Sequence, residues 1–309
     1  MKRVAVAGEL TVDLIFRGED VEPRAGTETV VDEFLMTLGS ASAICASALA
    51  KLGTPVTFIG RAGRDVWGDH CLASLVAAGV DVSRVTRGAD VQTGITASIT
   101  SARERALVTF PGTSLVTPRD LDARVLDGVD HVHVSSFFLQ PELRRVCADF
   151  LDRATRGGCS TSLDPGFDPA EQWDGGLREV LQHVDLFFPN EIELARITGQ
   201  SDAESALRAL ANGRTRTVAK LGRDGCMTSD GGETLCVPAF SVEAVDTTGA
   251  GDSFNAGYLH GYLRGLSTAE CLRYGAACGA LSTRGLGGTT TQPSLQELEE
   301  FLRGRPDRR

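Results

Sequence analysis

The chain has 309 residues and a formal net charge of −10 at neutral pH, with 42% hydrophobic and 23% charged residues. That length suits one α/β domain with an appendage, and that composition suits a soluble globular enzyme. The acidic balance argues against a nucleic-acid partner, because polyanions are repelled overall, and no apolar run approaches the length of a membrane span.

The first residues, MKRVAVAGEL, lack the long apolar stretch of a secretory leader, so the expectation is a cytoplasmic protein. RVAVAG (3–8) reads as a short buried strand stopped by Gly8. SASAICASALAKLG (40–53) reads as a small-residue helix closed by Gly53, VTFIG (56–60) as a second strand, and GDHCLASLVAAGV as a helix ending at Gly79. HVHVSSF, STSLD, DLFFPN and RTVAKLG then read as further strands. Helices are predicted behind Asp252 and over AECLRYGAACGALSTR. Strands alternating with helices predict a mostly parallel sheet covered on both faces.

Two stretches break this rhythm. Residues 11–36 and 91–113 are strand-like, polar-alternating and rich in threonine, and they predict an antiparallel excursion that would serve as a lid. A plain edge hairpin is the alternative. The whole chain, 1–309, is expected to form one domain with these two excursions inside it. The eight cysteines form no CxxC pair and sit mostly in apolar runs, as reduced, buried small hydrophobes do. His131 and His133 lie two apart on a strand with no further ligand nearby, which favours a structural role over a metal site.

The stretch DTTGAGDSF (246–254) bears on chemistry. Gly249, Ala250 and Gly251 leave backbone N–H groups unobstructed, and a helix start adds unpaired donors and partial positive charge. Together they suit a phosphoryl group. Asp252, beside them, could accept a proton from an attacking hydroxyl. On spacing alone, an N-capping aspartate with turn glycines remains an equal alternative. A P-loop, a GxGxxG fingerprint and an HExxH motif are all missing from the sequence.

DTTGAGDSFNAGY resembles the C-terminal signature of the ribokinase family, the PfkB carbohydrate kinases. Residues 38–69 resemble its N-terminal signature, ending in GxxGxDxxG at Gly60, Gly63, Asp65 and Gly68. FPNEIELARITG carries an NxxE motif as Asn190 and Glu193, and VAKLGRDG resembles the nucleotide-site strand and turn. The four motifs stand in family order and span nearly the whole chain. The resemblance implies a ribokinase-like αβα sandwich with a small β-sheet lid, transferring the ATP γ-phosphate to an alcohol, often a primary hydroxyl. Asp252 would be the base and Gly249, Ala250 and Gly251 the anion hole. Asn190 and Glu193 would organise phosphates and Mg²⁺ through water, which suits an ion that keeps several waters. Lys220, Gly222, Gly225 and Gly275 would lie near the nucleotide. Asp13, Gly39 and Ser40 would meet the acceptor. A monovalent cation, K⁺, is implied at Asp246, Thr248 and Arg284, and a homodimer through the lid is a family expectation.

Three departures stand out. Leu38 and Ala43 replace the first glycine and the asparagine of GGxxxN. LDPGFDP has Gly166 and Asp168 where many sugar kinases carry DxNxR, and Gly275 falls about where an adenine-side asparagine is common. The phosphoryl machinery therefore reads as intact and sugar recognition as rewritten. The reading is a Mg²⁺- and ATP-dependent kinase of a sugar or sugar acid, with a nucleoside as the alternative acceptor. Arg103 and Arg105 would meet an acidic group on the substrate or simply edge a strand. A non-catalytic sugar or nucleotide sensor is the rival of another class; Asp252, Asn190 and Glu193 argue against it.

Overall fold

A computed structural model describes residues 1–101, 105–113, 115–230 and 232–304. From β1 (Val4–Ala7) the chain departs into β2 (Thr11–Arg17) and β3 (Glu33–Leu38), then returns through α1 (Ala41–Lys51) to β4 (Val56–Gly63). Next come α2 (Val66–Ala77) and β5 (Asp81–Gly88), and a second excursion builds β6 (Gly94–Thr100) and β7 (Arg105–Phe110). Strand–helix alternation resumes with β8 (His131–Val134), α3 (Pro141–Arg156), β9 (Ser160–Leu163), α4 (Leu177–Val180) and β10 (Leu186–Phe187). It continues through α5 (Glu191–Thr198), α6 (Ala203–Ala209) and β11 (Arg216–Lys220). A hairpin, β12 (Cys226–Asp230) and β13 (Glu233–Val237), precedes α7 (Ala250–Leu263), α8 (Thr268–Ser282) and α9 (Leu295–Arg303).

Nine of the described strands form one sheet, ordered β13-β12-β11-β10-β9-β8-β1-β4-β5. Pairing is parallel from β11 to β5 and antiparallel only in the β11–β12–β13 edge. Successive residues of a strand face opposite sides, so β1 feeds two cores. Ala5 and Ala7 join Phe150 of α3 and Leu194 of α5, whereas Val4 and Val6 join Leu49 of α1 and Tyr258 of α7. The result is a three-layer αβα sandwich. No helix among the described residues is long and apolar enough to cross a membrane.

The second sheet, β3-β2-β6-β7, matches the two threonine-rich stretches. It is mixed rather than antiparallel as expected, because β2 and β6 run parallel at its centre. Both follow strands of the parallel main sheet, β1 and β5, and so leave it in the same direction. One row of side chains, including Ile15, Leu35 and Thr37, lies against Gly287 of the main body. The opposite row leaves Phe34, Met36, Val108 and Phe110 exposed. Arg103 lies outside the described residues, as does the side chain of Arg105.

The two strand histidines are fully buried in a hydrogen-bonded ladder between β8 and β9. His131 bridges Ser160 (2.8 Å) and Ser162 (2.7 Å); His133 bridges Ser162 (2.7 Å) and Ser135 (2.9 Å). Burial pushes His131 down to about 3 and His133 down to about 4, so both rings are neutral. All eight cysteines are free; seven are buried and Cys236, on β13, is the exposed exception.

Candidate active site

The carboxyl ends of the parallel strands and the start of α7 converge, as crevices in open α/β sheets do. Gly249 caps α7 with φ 71°, a left-handed conformation that suits glycine. A Cβ there would also lie 2.9 Å from Gly288 Cα and from the Ile44 side chain. Ala250, Gly251 and Asp252 then form the first helical turn, whose N–H groups have no partner within the helix.

Beneath that turn lies a buried charge cluster. Lys220, at the end of β11, donates to Asp164 Oδ2 at 2.7 Å, and Asn255 Nδ2 donates to the same oxygen at 2.7 Å. Gly166 N–H donates to Asp164 Oδ1 at 2.9 Å. The Lys220 ammonium also packs under Gly251, 3.4 Å from where a Cβ would be. Burial would raise Asp164, but Lys220 and Asn255 outweigh it and hold the carboxyl low. Burial alone would lower Lys220; Asp164, Glu193 and Asp252 reverse that and hold it charged.

Half-buried Asp252 is pushed up to about 7, first by burial and then by the Asp164 charge, with Lys220 opposing. Glu193 is also pushed up to about 7, by burial and by Asp164. Asn190 and Glu193 form a capping box on α5: Asn190 Oδ1 accepts from Glu193 N–H (2.9 Å) and Glu193 Oε2 accepts from Asn190 N–H (2.8 Å). The NxxE spacing therefore has a helix-starting role that brings Glu193 close enough to influence Lys220 and Asp252.

On the lid side, Gly39 carries no Cβ because the Asp13 carboxylate and the Thr11 hydroxyl fill that space. Ser40 holds φ 63°, unusual for a residue with a side chain, and caps α1 by accepting from Ala43 N–H at 3.1 Å. Its hydroxyl donates to the Glu9 carbonyl at 2.9 Å. The buried Glu9 carboxylate accepts from Ser42 and Ser136, each at 2.8 Å. Ala43 has no exposed surface and belongs to the core, so it does not face the crevice.

A cavity of about 560 Å³ opens beside α7 and α8. Lys220, Gly222, Gly225, Ala250 and Gly251 line one part, and Phe240, Phe254, Ala276 and Gly279 line another. Gly275 is not among the lining residues; a Cβ on it would meet the Phe254 ring at 2.9 Å. Behind the anion-hole turn, Asp246 accepts from Thr248 N–H (2.9 Å), Thr248 Oγ1 (2.7 Å) and Gly287 N–H (2.9 Å). Arg284 is exposed and lies with Glu297 and Glu300 along a surface hollow, one residue after Thr283, whose carbonyl accepts from the N–H groups of Val245 (2.7 Å) and Asp246 (3.1 Å).

The family model for the pfkB family of carbohydrate kinases matches residues 1–295. The chain belongs to that family. An ATP-dependent ribose-1-phosphate kinase from Halopiger xanaduensis is 31% identical over 99% of this chain and 100% of its own. Ribokinase from Bacillus subtilis is 26% identical over 98% and 100%. The crystal structure of ribokinase from Thermotoga maritima superposes with a TM-score of 0.83 at 25% identity, covering 98% of this chain and 100% of that one. The ribokinase-like sandwich and the carbohydrate-kinase activity read from the sequence are thus those of its relatives.

In this pfkB kinase the structure gathers Asp252, Glu193 and Lys220 into one electrostatically coupled group and sets Asp13, Gly39 and Ser40 on the lid side. It leaves Gly275 behind an aromatic ring and Arg284 on the surface. Sequence reasoning passed over Asp164, Asn255 and Glu9. Asp164 and Glu9 carried a signal: each is an acid just beyond a short parallel strand, at the end where α/β sites form. Asn255 carried another, being one helical turn after Asp252.

Proposed function

We propose that this kinase transfers the γ-phosphate of ATP to a hydroxyl of a small uncharged sugar, with Asp252 as general base. The observation carrying this reading is the position of Asp252: half-buried, in the first turn of α7, directly after the Gly249–Gly251 turn and within the field of Lys220. Asp252 accepts the acceptor's hydroxyl proton as the new P–O bond forms and the bond from the γ-phosphorus to the bridging oxygen breaks, releasing ADP. The N–H groups of the first turn, which have no partner within the helix, and the Lys220 ammonium offset the charge on the phosphoryl oxygens. Asp13 orients the acceptor through its hydroxyls, and Gly39, lacking a Cβ, leaves room for the Asp13 carboxylate itself.

The residues fit Mg²⁺. Asp164, Glu193, Asp252 and Glu9 outnumber the single nearby ammonium, and the buried Asn255 Oδ1 has no hydrogen-bond partner among the described residues. Among those residues no group of three or more His, Cys, Asp or Glu is arranged to hold a metal. That suits an ion held through water and phosphate, near Asn190 and Glu193. When bound, the ion would supply charge neutralisation at the phosphates. A fold neighbour from E. coli was solved with ATP and Mg²⁺, and ribokinase from Arabidopsis thaliana with ribose and ATP. A fructokinase from Vibrio cholerae was solved with potassium, which supports K⁺ beside Asp246 and Thr248 here.

An uncharged acceptor is favoured over a sugar acid. Glu9 acts on Asp252, Asp13 is the acid assigned to the acceptor, and Asp168 stands where the DxNxR pattern has arginine. Asp168 is buried and accepts from the N–H groups of Ala170, Gln172 and Trp173 (2.7–3.0 Å), so it shapes its own loop. We also propose one domain with its lid, residence in the cytoplasm, where eight free thiols stay reduced, and pairing of two copies through the exposed apolar lid face. An ADP-release screen across pentoses, hexoses, sugar acids, sugar phosphates and nucleosides tests the central reading. Turnover dependent on a neutral sugar supports it; turnover only with a sugar acid, a sugar phosphate or a nucleoside refutes the acceptor assignment.

A further inference from the structure

The cavity beside α7 and α8 has little with which to read a base. Its lining residues include no Asn, Gln, Asp or Glu. On the α8 side the wall is Ala276, Gly279 and Ala280; Ala276 lies within the helix ladder, and in the last turn the Gly279 carbonyl accepts from Ser282 Oγ (2.9 Å) and the Ala280 carbonyl from Thr283 Oγ1 (2.8 Å). On the other side it is Ala239, Phe240 and Val242. The charged side chains, Lys220 and Arg223, are grouped with Gly222 around the end of β11.

We infer that this kinase tolerates different purines on its phosphoryl donor and uses GTP and ITP as well as ATP. This rests on reading the cavity as the donor site. Adenine offers a donor at N6 and an acceptor at N1; guanine and hypoxanthine reverse that pattern. A site rejects the wrong pattern strongly only when fixed polar groups are left unpaired by it. The polar side chains at the neutral walls are the hydroxyls of Ser241, Thr247 and Thr283. A hydroxyl can rotate to donate or accept, so it matches either purine edge. Thr283 Oγ1 already donates to the Ala280 carbonyl at 2.8 Å and has only acceptor capacity left. Apart from the backbone of the 239–244 wall, what remains is contact area, which is nearly equal for the purines and smaller for a pyrimidine.

A reader cannot enter at Gly275, since Phe254 occupies that space. Ala276, one residue on, faces the cavity and is the position where an amide would discriminate.

The test measures kcat/KM for ATP, GTP, ITP and CTP with one good acceptor, and Kd for ADP and GDP by calorimetry. GTP and ITP are expected within about tenfold of ATP, with CTP lower. Ala276→Asn is expected to move the ADP-to-GDP Kd ratio by about tenfold, because a packed amide presents its donor and acceptor at set places. GTP falling more than about a hundredfold below ATP overturns the inference and assigns base reading to the backbone of 239–244. An unmoved Kd ratio in the variant overturns the placement of the base against α8. If neither ADP nor GDP binds, the donor-site reading itself falls, and base tolerance with it.

Discussion

Lys220 and Asp164 meet at 2.7 Å in the interior, on the ends of β11 and β9, and their pair lies under the first turn of α7. It links the sheet to the reactive helix, with Asn255 of α7 as a second ligand of the same carboxylate oxygen. Breaking such a pair from one side strands a charge away from water. Lys220→Met should therefore destabilise the fold by about 3–5 kcal/mol, and Lys220→Met with Asp164→Leu by less. Urea denaturation of these two and of Asp164→Leu alone reads this directly; a double variant as unstable as the sum of the two singles would show that the pair does not act as one.

Asp252→Asn keeps the shape and removes the proton acceptor. The expected loss in kcat is roughly 10²–10⁴-fold, with ADP affinity by calorimetry nearly unchanged. Turnover close to the parent's would end the general-base assignment.

The same variant should be more stable than its parent, in a pH-dependent way. Asp252 stands at about 7 in the folded protein against an ordinary value of 3.8, so its ionised form is disfavoured by folding. The penalty is full above pH 7 and fades as pH falls through 7, where the folded carboxyl takes up its proton. Asparagine mimics the protonated acid. The gain from Asp252→Asn should be about 1–3 kcal/mol at pH 8, less than half of that at pH 5, and gone only below about pH 3.8, where the unfolded carboxyl is protonated too. Denaturation midpoints at the two pH values check it; an equal gain at both would mean that charge is not the cause.

The histidine ladder gives the opposite slope. Both rings stand well below 6.5 when folded, so the unfolded chain takes up protons first on acidification. Stability from this source is complete above about pH 6.5 and drains away as pH falls towards 4, by up to about 2 kcal/mol per ring at pH 5. Replacing His131 and His133 together by Gln should flatten the acid limb of the stability profile while weakening the protein at pH 7. An unchanged acid limb would assign acid lability elsewhere.

The alternation of apolar strands and small-residue helices was legible because a parallel sheet buried on both faces needs such runs. The mixed pairing in the lid was not, since threonine alternation marks a half-exposed strand without giving its direction. At the site, spacing alone drew attention to Asp252 but left an N-cap as an equal alternative, and Asn190 and Glu193 entered through the resemblance to the family's NxxE motif. The tie between Lys220 and Asp164 joins residues 56 apart in sequence, and nothing local announces it. Ala43 illustrates the reverse error. Its place at the asparagine of the GGxxxN signature pointed to sugar recognition, but Ser40 starts α1 and Ala43 lies in the core. The departure there concerns packing first.

Glu193→Gln separates the two roles of that residue. Glutamine preserves the capping box with Asn190, so the α5 start and the stability should hold within about 1 kcal/mol. Only the charge is lost. The Mg²⁺ concentration for half-maximal rate should rise severalfold, with acceptor KM little changed. Identical Mg²⁺ titrations for parent and variant would leave Glu193 a helix cap and nothing more.

Gly39→Ala tests the lid side of the site. The added methyl would land on the Asp13 carboxylate and the Thr11 hydroxyl, so either β2 retreats from α1 or Asp13 turns out of its present position. Both residues are buried, and their strand is paired on both edges, with β3 and β6. Rotation of Asp13 is therefore the easier response. An acceptor oriented through that carboxylate would lose a charge-assisted contact worth about 1.5–3 kcal/mol, a rise in acceptor KM of about 10- to 100-fold. The donor cavity, lined from α7, α8 and the end of β11, lies apart from these residues, so KM for ATP should stay within about twofold. Asp13→Asn, which keeps the volume and drops the charge, should give the same signature with a smaller rise. If Gly39→Ala raised both Michaelis constants alike, the lid would be acting on the whole cleft and Asp13 would lose its assignment to the acceptor. If neither constant moved, the acceptor would bind without touching this corner of the lid.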